Sequence, residues 1–446
     1  MPSGTLEKLI MSTGTLAPLQ EQEPTQEEET RGSFLINRNF ALLAVGQAIS
    51  NMGDFVYSTT LLVWVFMLTH SAGAISGVLI AQYAPVFLLG PIAGVFVDRW
   101  NRRQTMIVTD IVRAVATLLP FVVPDFLRLP TIYISVFLLS SFSRFFMPAR
   151  SGILQVIVSD QQQTQAASIS QATFAFSFIV GPAIASPLYF VVGPLVACLI
   201  NAVSFLVSAL CLSFIRAPKE ALHPYAFARE RSVMSVSAVV RELFAGFRFV
   251  AKTRVLLMVT FLALIAMLGA GALNALDIIF VSRNLHASTS LYGSLVAAGG
   301  IGTLIGAVGI GLLARKVAPK YILAGSVFLL GLGIIVYSFQ TWIVLAIIVN
   351  FFTGLPQGGI DVGFGPLLIH ATPQTMMGRV QSVIETAMFG ISLVSIGLAG
   401  YFGQFVPVNI IFAFGGLLIV IAGLFGCFAL PTPEKERPPQ LSSTAV

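Results

Sequence analysis

The sequence predicts an all-α membrane protein whose twelve transmembrane helices form two six-helix halves. Of its 446 residues, 56 % are hydrophobic and 10 % are charged, whereas a typical water-soluble domain has about a quarter of its residues charged. Apolar stretches of about 20 residues, the length that crosses a bilayer, recur along the chain. Lysine and arginine cluster in alternate loops between these stretches, as they do in multi-pass membrane proteins.

Each half is predicted to contain six spans. In the N-terminal half, residues 34–216, they lie near 38–68, 75–97, 104–123, 131–148, 164–191 and 194–215. In the C-terminal half, residues 255–430, they lie near 255–282, 289–314, 320–338, 341–369, 376–402 and 407–430. Residues 1–33 and 431–446 are predicted to be disordered cytoplasmic tails, because they are polar and lack apolar stretches.

A polar linker, residues 217–254, separates the halves. Between Val239 and Phe249 its apolar residues recur at helical spacing, with Arg241 and Arg248 on the polar side. Such a pattern is typical of a helix that lies in the plane of the membrane surface. We therefore expect an amphipathic helix on the cytoplasmic side, directly before the seventh span.

The distribution of basic residues predicts the orientation. The loops after odd-numbered spans contain Arg128 and Arg283. The loops after even-numbered spans contain many more basic residues, namely Arg99, Arg102, Arg103, Arg150, Arg216, Lys219, Arg229, Arg231, Arg241, Arg248, Lys252, Arg254, Arg315, Lys316, Lys320 and Arg379. Because short basic loops stay in the cytoplasm, both termini are expected there, and the chain is expected in the inner (cytoplasmic) membrane.

The two halves resemble one another. Three residues of the N-terminal half recur at a constant offset in the C-terminal half: Gly77, Gly90 and Arg99 as Gly293, Gly306 and Arg315. Pro148, at the expected end of the fourth span, likewise has Pro366 as a counterpart near the end of the tenth. A repeat of this kind predicts two parallel six-helix bundles related by an axis along the membrane normal.

Polar residues inside the spans are the candidate functional residues, because an acid in the hydrocarbon costs about 2.5–3.5 kcal/mol on insertion scales. In the first span, Gln47, Asn51 and Asp54 share one helical face, and Asp54 lies near mid-membrane. Two hypotheses remain open for Asp54, a proton-titrating site or a structural acid that never titrates. The other spans contribute four pairs of polar residues: Ser140 and Arg144, Asn274 and Asp277, Gln357 and Asp361, and Gln381 and Glu385.

The remaining acids have open roles as well. Asp361 and Glu385 lie nearer the cytoplasmic end, and either could assist proton coupling or hold a gate. Asp277 lies towards the outer end of its span, where Arg283 could pair with it. A structural role is favoured there over a place, with Asn274, in the proton-coupling and substrate cavity. Seven glycines and prolines surround Asp361, and they predict either a broken, moving tenth span or a helix packed closely on its neighbours.

A cytoplasmic gate is predicted from charges between and within the second to fourth spans. Asp110 and Arg113 lie one turn apart in the third span, and Arg144 lies at similar depth in the fourth. Asp98 could face the amino-terminal end of the eleventh span, near Arg379, where a helix carries partial positive charge. These residues are expected to form a bistable network with the loop that contains Gly94, Arg99, Arg102 and Arg103. A static anchor is the alternative for Arg102 and Arg103.

Other classes of function are not expected. The three cysteines, Cys198, Cys211 and Cys427, lie inside apolar stretches, and the four histidines lack the spacing of metal ligands. A glycine-rich loop followed by Lys and Ser or Thr, which would bind ATP, is absent from the sequence. We therefore expect a monomeric non-enzyme without cofactor, metal or nucleic-acid partner, which acts on a small molecule and protons within the lipid bilayer.

The pattern Gly94-xxx-Asp98-Arg99-xx-Arg102-Arg103 resembles the signature loop between the second and third helices of the major facilitator superfamily. The resemblance implies that spans 1, 4, 7 and 10 line a central cavity. Four further segments resemble the drug:proton antiporter branch, which includes macrolide-efflux proteins and the enterobactin exporter: Met52-Gly53-Asp54-Phe55, Asp110-xx-Arg113-Ala114, Phe145-Phe146-Met147-Pro148-Ala149-Arg150 and Gly378-Arg379-Val380-Gln381-Ser382. Gly181-Pro182 is similar to the antiporter motif of the fifth helix, although Ala185 and Ser186 replace its usual glycines.

The resemblance implies a secondary transporter that exports a hydrophobic or amphipathic compound, such as a drug, macrolide or siderophore, in exchange for protons. An importer or a lipid transporter on the same fold remains an alternative, because a fold does not determine direction or cargo. A membrane sensor that binds a ligand without moving it is a further alternative.

Overall fold

A computed structural model describes residues 36–97, 99–216, 236–314 and 316–430, and these residues form an all-helical protein. The expected tails at 1–33 and 431–446, most of the linker at 217–235, and Asp98 lie outside the described residues. Eleven helical segments in the described part are long and apolar enough to cross a membrane. One of them bends at Gly193 and is long enough for two spans, so the described part of the chain contains twelve candidate membrane spans, the number predicted.

The N-terminal half consists of α1 (Arg38–Thr69), α2 (Ala72–Val97), α3 (Arg102–Leu118), α4 (Arg128–Ile157) and α5 (Gln163–Ser213). At 1.5 Å per residue, the 51 residues of α5 would extend about 76 Å, more than twice the thickness of the hydrocarbon core. Gly193 solves this problem with a φ of 78°, which turns the chain back between the fifth and sixth spans. Only glycine adopts this left-handed backbone without strain, so no separate loop is needed.

An amphipathic helix, α6 (Val236–Lys252), precedes the C-terminal half. The C-terminal half consists of α7 (Arg254–Arg283), α8 (Tyr292–Leu313), α9 (Pro319–Ser338), α10 (Ile343–Ala371), α11 (Met377–Phe402) and α12 (Val408–Ala429). Helix α6 lies in the linker where an amphipathic helix is expected, and Thr253 alone separates it from α7.

One helix differs from the sequence-based expectation, and a second agrees with one of two alternatives. The fourth span was expected to end at Pro148, but α4 continues to Ile157 with Pro148 inside it. The tenth span was expected to be broken if its glycines and prolines form a moving gate, yet α10 is one helix that contains Pro356 and Pro366. A proline inside a helix removes one backbone hydrogen bond, and membrane helices tolerate this loss where neighbouring groups satisfy the freed carbonyl.

Glycines explain the packing of α10. The space that a Cβ atom would occupy at Gly354 or Gly358 is filled by backbone atoms of α8, at Gly299 and Thr303. At Gly363 the same space is filled by the backbone of Leu323 in α9. Small residues allow helix backbones to approach closely in a membrane, so the structure favours close packing over a break at these positions.

Both halves touch along two helix pairs, α2 with α11 and α5 with α8. We call the side of the protein where α1 begins and α2 ends the basic side, because the arginine-rich loops lie there, and the opposite side the far side. The largest apolar cluster combines both halves, including Trp64 and Ile75 with Phe280 and Phe412. The remaining larger clusters each belong to one half.

Candidate functional site

Close contacts join the two halves on the far side. The backbone N–H of Gly293 in α8 donates a hydrogen bond to Ser186 Oγ in α5, at 2.9 Å. A Cβ atom at Gly400 in α11 would lie 2.6 Å from Ser76 Oγ in α2. We call these four residues the far-side seal. Their small side chains bring backbones of the two halves together, and this arrangement closes the far side.

On the basic side, each of the larger apolar clusters belongs to one half. Phe40, Met106 and Ile153 belong to an apolar cluster built from the N-terminal half alone, whereas Leu256 and Val380 belong to one built from the C-terminal half and α6. A Cβ atom at any of three glycines near the basic side would meet nothing within 4 Å: Gly90, Gly94 and Gly378. Within the described residues, packing of the kind found at the far-side seal is absent at these three glycines.

Asp54 lies beside a polar stripe of α5. Its Oδ1 accepts a hydrogen bond of 3.3 Å from Asn201 Nδ2, and the Asn201 side chain is completely buried. Ser204 Oγ lies 3.2 Å from Asn201 Oδ1 and can donate to it. The neighbouring Gly53 permits this contact, because a Cβ atom there would lie 2.3 Å from Ser204 Oγ. Asn201, Ser204 and Ser208 are polar residues at helical spacing in the sixth span, a signal that the sequence analysis missed.

A charged pair occupies the interior of the N-terminal half. Arg113 and Asp110, both buried in α3, form an ion pair through Arg113 Nη2 and Asp110 Oδ1. The guanidinium group also lies 4.7 Å from the ring centre of Phe146 and 4.3 Å from that of Phe205. Arg113 is close enough to Asp54 to attract its carboxylate. The pair therefore forms contacts inside its own half and does not reach across the interface.

Arg144 is placed differently from this pair. It lies on α4 within electrostatic range of Glu385 on α11, and thus across the interface between the halves. Glu385 is exposed and accepts a hydrogen bond of 2.8 Å from Gln381 Nε2. No ion pair within 4 Å joins Arg144 to Glu385 in the described part of the chain. Opposite charges on separated halves can attract one another when the basic side closes.

Two of the basic residues after α2 donate hydrogen bonds to carbonyl groups of the N-terminal half. Arg102 Nη1 donates to the carbonyl of Gly152 at 3.1 Å, and Arg103 Nε donates to the carbonyl of Leu212 at 3.0 Å. These bonds satisfy carbonyls near the ends of α4 and α5. They agree with the alternative of a static anchor for both residues. Gly94 lies in open space, and Asp98 lies outside the described residues.

The expected pairing of Asp277 with Arg283 is wrong. Asp277 Oδ1 accepts a hydrogen bond of 2.6 Å from the hydroxyl of Tyr337 in α9, and Arg283 Nη2 donates to the carbonyl of His70 at 3.0 Å. Residues six apart lie about 240° around a helix from each other, so their side chains point in different directions. Asn274, three residues before Asp277, is exposed.

The remaining candidates lie towards the basic side. Asp361 is exposed within α10, and Gln357, one turn earlier, is half-buried. Arg379, at the start of α11, forms an ion pair of 3.2 Å with Glu242 in α6. Helix α6 had not been predicted to contact the gate. The contact of Glu242 with Arg379 was not predicted, because two residues 137 positions apart leave no local pattern in the sequence.

Comparison with known proteins identifies the family. Residues 32–444 match the family described as transmembrane secretion effector. The chain belongs to this family, a group within the major facilitator superfamily. Macrolide efflux protein A of Streptococcus pyogenes is 24 % identical over 407 residues, which cover 88 % of this chain and 95 % of that protein. The uncharacterized major facilitator transporter YkuC of Bacillus subtilis is 25 % identical over 401 residues, which cover 89 % of this chain and 93 % of that protein.

The fold is also shared with solved structures. The crystal structure of the nucleoside transporter NupG superposes with a TM-score of 0.69 at 13 % sequence identity, and the match covers 90 % of this chain and all of that one. At this identity the likeness establishes the fold alone. The protein is therefore a multi-pass membrane transporter of the major facilitator superfamily.

Proposed function

We propose that this transporter exports a hydrophobic or amphipathic small molecule from the cytoplasm by alternating access, driven by proton antiport. One observation carries the proposal: Asp54, an acid in the middle of a membrane span, is hydrogen-bonded to the fully buried Asn201. Placing an acid at this depth of the membrane costs free energy, so its presence indicates a function. The relation to macrolide efflux protein A supports export as the direction and an amphipathic compound as the cargo.

The asymmetry of the interface supports alternating access. With both termini in the cytoplasm, the basic side would face the cytoplasm, and the far-side seal would close the outer end of the transport path, as in an inward-facing state. The outward-open state would require the far-side seal to part and the basic side to close. We assign the closing attraction to Arg144 and Glu385, which face each other from opposite halves.

Asp54 would carry the proton. When ionised, its carboxylate accepts the Asn201 hydrogen bond and is attracted to Arg113. Protonation removes that attraction, so the contact of Asp54 with Asn201 on α5 and its attraction to Arg113 on α3 would both depend on the proton. Asp361 and Glu385 would assist proton transfer on the basic side, because both are exposed there. Coupling requires a conformational equilibrium that the proton shifts by binding one state more tightly.

The proposed cytoplasmic gate is smaller than the set expected from sequence. It consists of Arg144 and Glu385, which lie on opposite halves, and of Arg379, which forms an ion pair with α6. Arg102 and Arg103 would act as the anchor of the loop, and the Asp110–Arg113 pair would keep the N-terminal half rigid. A monomer contains all these residues, so no second copy is needed.

Transport into inverted vesicles tests the proposal. Vesicles with an imposed pH gradient, acidic inside, should accumulate a fluorescent dye or a macrolide when they contain the native protein. Asp54→Asn should bind the compound yet lose the dependence of transport on the gradient. Asp125→Asn, on the exposed far-side loop, is the matched control and should transport normally, since the Asp125 side chain is 86 % exposed.

Each alternative gives a different result. If transport by Asp54→Asn depends on the pH gradient as strongly as transport by the native protein, Asp54 is not the coupling residue. Asp361 or Glu385 would then be the candidate. Efflux from preloaded inverted vesicles under the same gradient would indicate an importer. Binding without flux in either direction would indicate a sensor.

A further inference from the structure

Helix α6 is held at the boundary of the membrane. Thr253 alone connects it to the membrane-spanning α7, so the carboxyl end of α6 cannot move away from the bilayer. Its Gly246 packs on the first turn of α11, where a Cβ atom would lie 2.8 Å from the carbonyl oxygen of Arg379. The Glu242–Arg379 ion pair joins the same two helices at 3.2 Å. Helix α6 therefore lies at the level where α7 and α11 begin.

The opposite face of α6 is exposed. It presents two phenylalanines with large exposed fractions, Phe244 at 70 % and Phe247 at 62 %. Three exposed cations share this face, since they lie three, four or eight residues from a phenylalanine: Arg241, Arg248 and Lys252. We call these five residues the α6 docking face. The docking face thus exposes two phenylalanines among three cations. Such a face is unlike an ordinary solvated surface, which is polar, and unlike a protein core, which is buried.

The position and the charge of the α6 docking face indicate that it binds lipid. A cationic helix with large apolar side chains, lying along the boundary of a bilayer, binds lipid by placing those side chains among acyl chains and its cations beside phosphates. Long basic side chains reach from the apolar boundary to the headgroups. Each lysine or arginine near an anionic membrane surface adds favourable electrostatic free energy. The three cations of the docking face are thus complementary to anionic headgroups.

We propose that the α6 docking face binds the anionic leaflet on the basic side of the membrane. Phe244 and Phe247 lie at the level of the upper acyl chains, and Arg241, Arg248 and Lys252 bind lipid phosphates. Because the other face of α6 is bonded to Arg379, the lipid fixes the start of α11 relative to the membrane. This inference depends on the placement of α6 and not on export or on proton coupling.

Spin-label depth measurements test the docking directly. The full-length protein, with Cys198, Cys211 and Cys427 replaced by alanine, receives Phe244→Cys and is labelled in vesicles rich in phosphatidylglycerol. The label should collide more readily with oxygen, which concentrates in the bilayer, than with a water-soluble nickel complex. Lys316→Cys is the matched control, an exposed position in a loop on the same side, and should give the reverse preference.

The charge component has its own test. Vesicles of increasing phosphatidylglycerol content should move the label at position 244 from water into lipid. Arg241→Gln combined with Arg248→Gln should raise the required phosphatidylglycerol fraction several-fold, because two cations leave the docking face. Arg241→Lys combined with Arg248→Lys keeps both charges and should behave like the native protein. Lys316→Gln should have no effect.

Two results would overturn the inference. A label at position 244 that collides mainly with the nickel complex at every lipid composition would place the face in water. A label shielded from both reagents would show that protein covers the face, either a second copy or another segment of the chain. Neither result depends on transport, so a failure of the proposed export function would leave this test intact.

Discussion

The two ends of the interface between the halves are built on different principles. At the far-side seal, Gly293, Ser186, Gly400 and Ser76 bring backbones of opposite halves together. At the basic side, each half has its own apolar cluster, and charged groups such as Arg144 and Glu385 face each other without contact. Backbone contact depends strictly on shape, whereas charges attract over a distance. The proposed alternating access would use this difference, with one end closed by backbone packing and the other by charge.

The largest effect is expected for the buried ion pair between Asp110 and Arg113, which forms contacts inside its own half. Arg113→Gln leaves Asp110 buried without its ionic partner, so the free energy of unfolding should fall by about 3–5 kcal/mol. Thermal unfolding in detergent measures the loss. Asp110→Asn combined with Arg113→Gln should recover part of it. A loss below about 1 kcal/mol in the single variant would show that the pair does not stabilise the N-terminal half.

A second test examines the C-terminal half near the far side. Tyr337→Phe removes the hydroxyl that donates to Asp277, and a lost hydrogen bond to a charged group should lower the free energy of unfolding by about 1.5–3 kcal/mol. The same unfolding experiment measures it. Combination with Asp277→Leu, which removes the unpaired acid, should cost less than the sum of the single variants. Strict additivity would contradict the interaction.

The far-side seal itself can be opened by one methyl group. Gly293→Ala places a Cβ atom 1.8 Å from the carbonyl oxygen of Pro182, which should disfavour the closed seal by about 1–3 kcal/mol. Labelling of Thr289→Cys, buried beside the seal in the structure, should then become faster. Gly309→Ala adds the same group to the same helix in open space. Equal labelling rates in the two alanine variants would show that Gly293 does not control the seal.

The smallest effect is expected where α6 meets α11. Glu242 and Arg379 are both more than a third exposed, and an ion pair of this kind contributes about 0.2–1 kcal/mol. A double-mutant cycle with Glu242→Gln and Arg379→Gln should give a coupling energy in this range. A coupling energy as large as that of Asp110 and Arg113 would remove the contrast between strong contacts within the N-terminal half and weak contacts at the basic side.

Hydrophobic length predicts the spans well, because each must cross the same thickness of hydrocarbon whatever its partners. Even the fifth and sixth spans were separated correctly, with Gly193 between them. Proline was less informative. Pro148 suggested the end of the fourth span, but a membrane helix tolerates proline when its neighbours satisfy the free carbonyls.

The partners of the polar residues were harder to predict than the spans. Asp277 was assigned to Arg283, its nearest cation in sequence, whereas Tyr337 from another helix reaches it. Asn201 lies 147 residues from Asp54, and the contact depends on the close approach that Gly53 permits. Such pairs arise from the way helices are arranged around each other, and a single sequence contains no direct record of that arrangement.

The single-residue turn at Gly193 has a mechanical consequence. Ser186, which accepts the hydrogen bond from α8, and Asn201, which holds Asp54, lie on either side of it within one helix pair. A long connecting loop would absorb a displacement of one span as slack. A turn made by one residue leaves little slack, so a displacement of Asn201 is carried to Ser186, which lies at a similar distance from the turn on the neighbouring span. Under the proposed proton coupling, this turn would link protonation of Asp54 to the far-side seal.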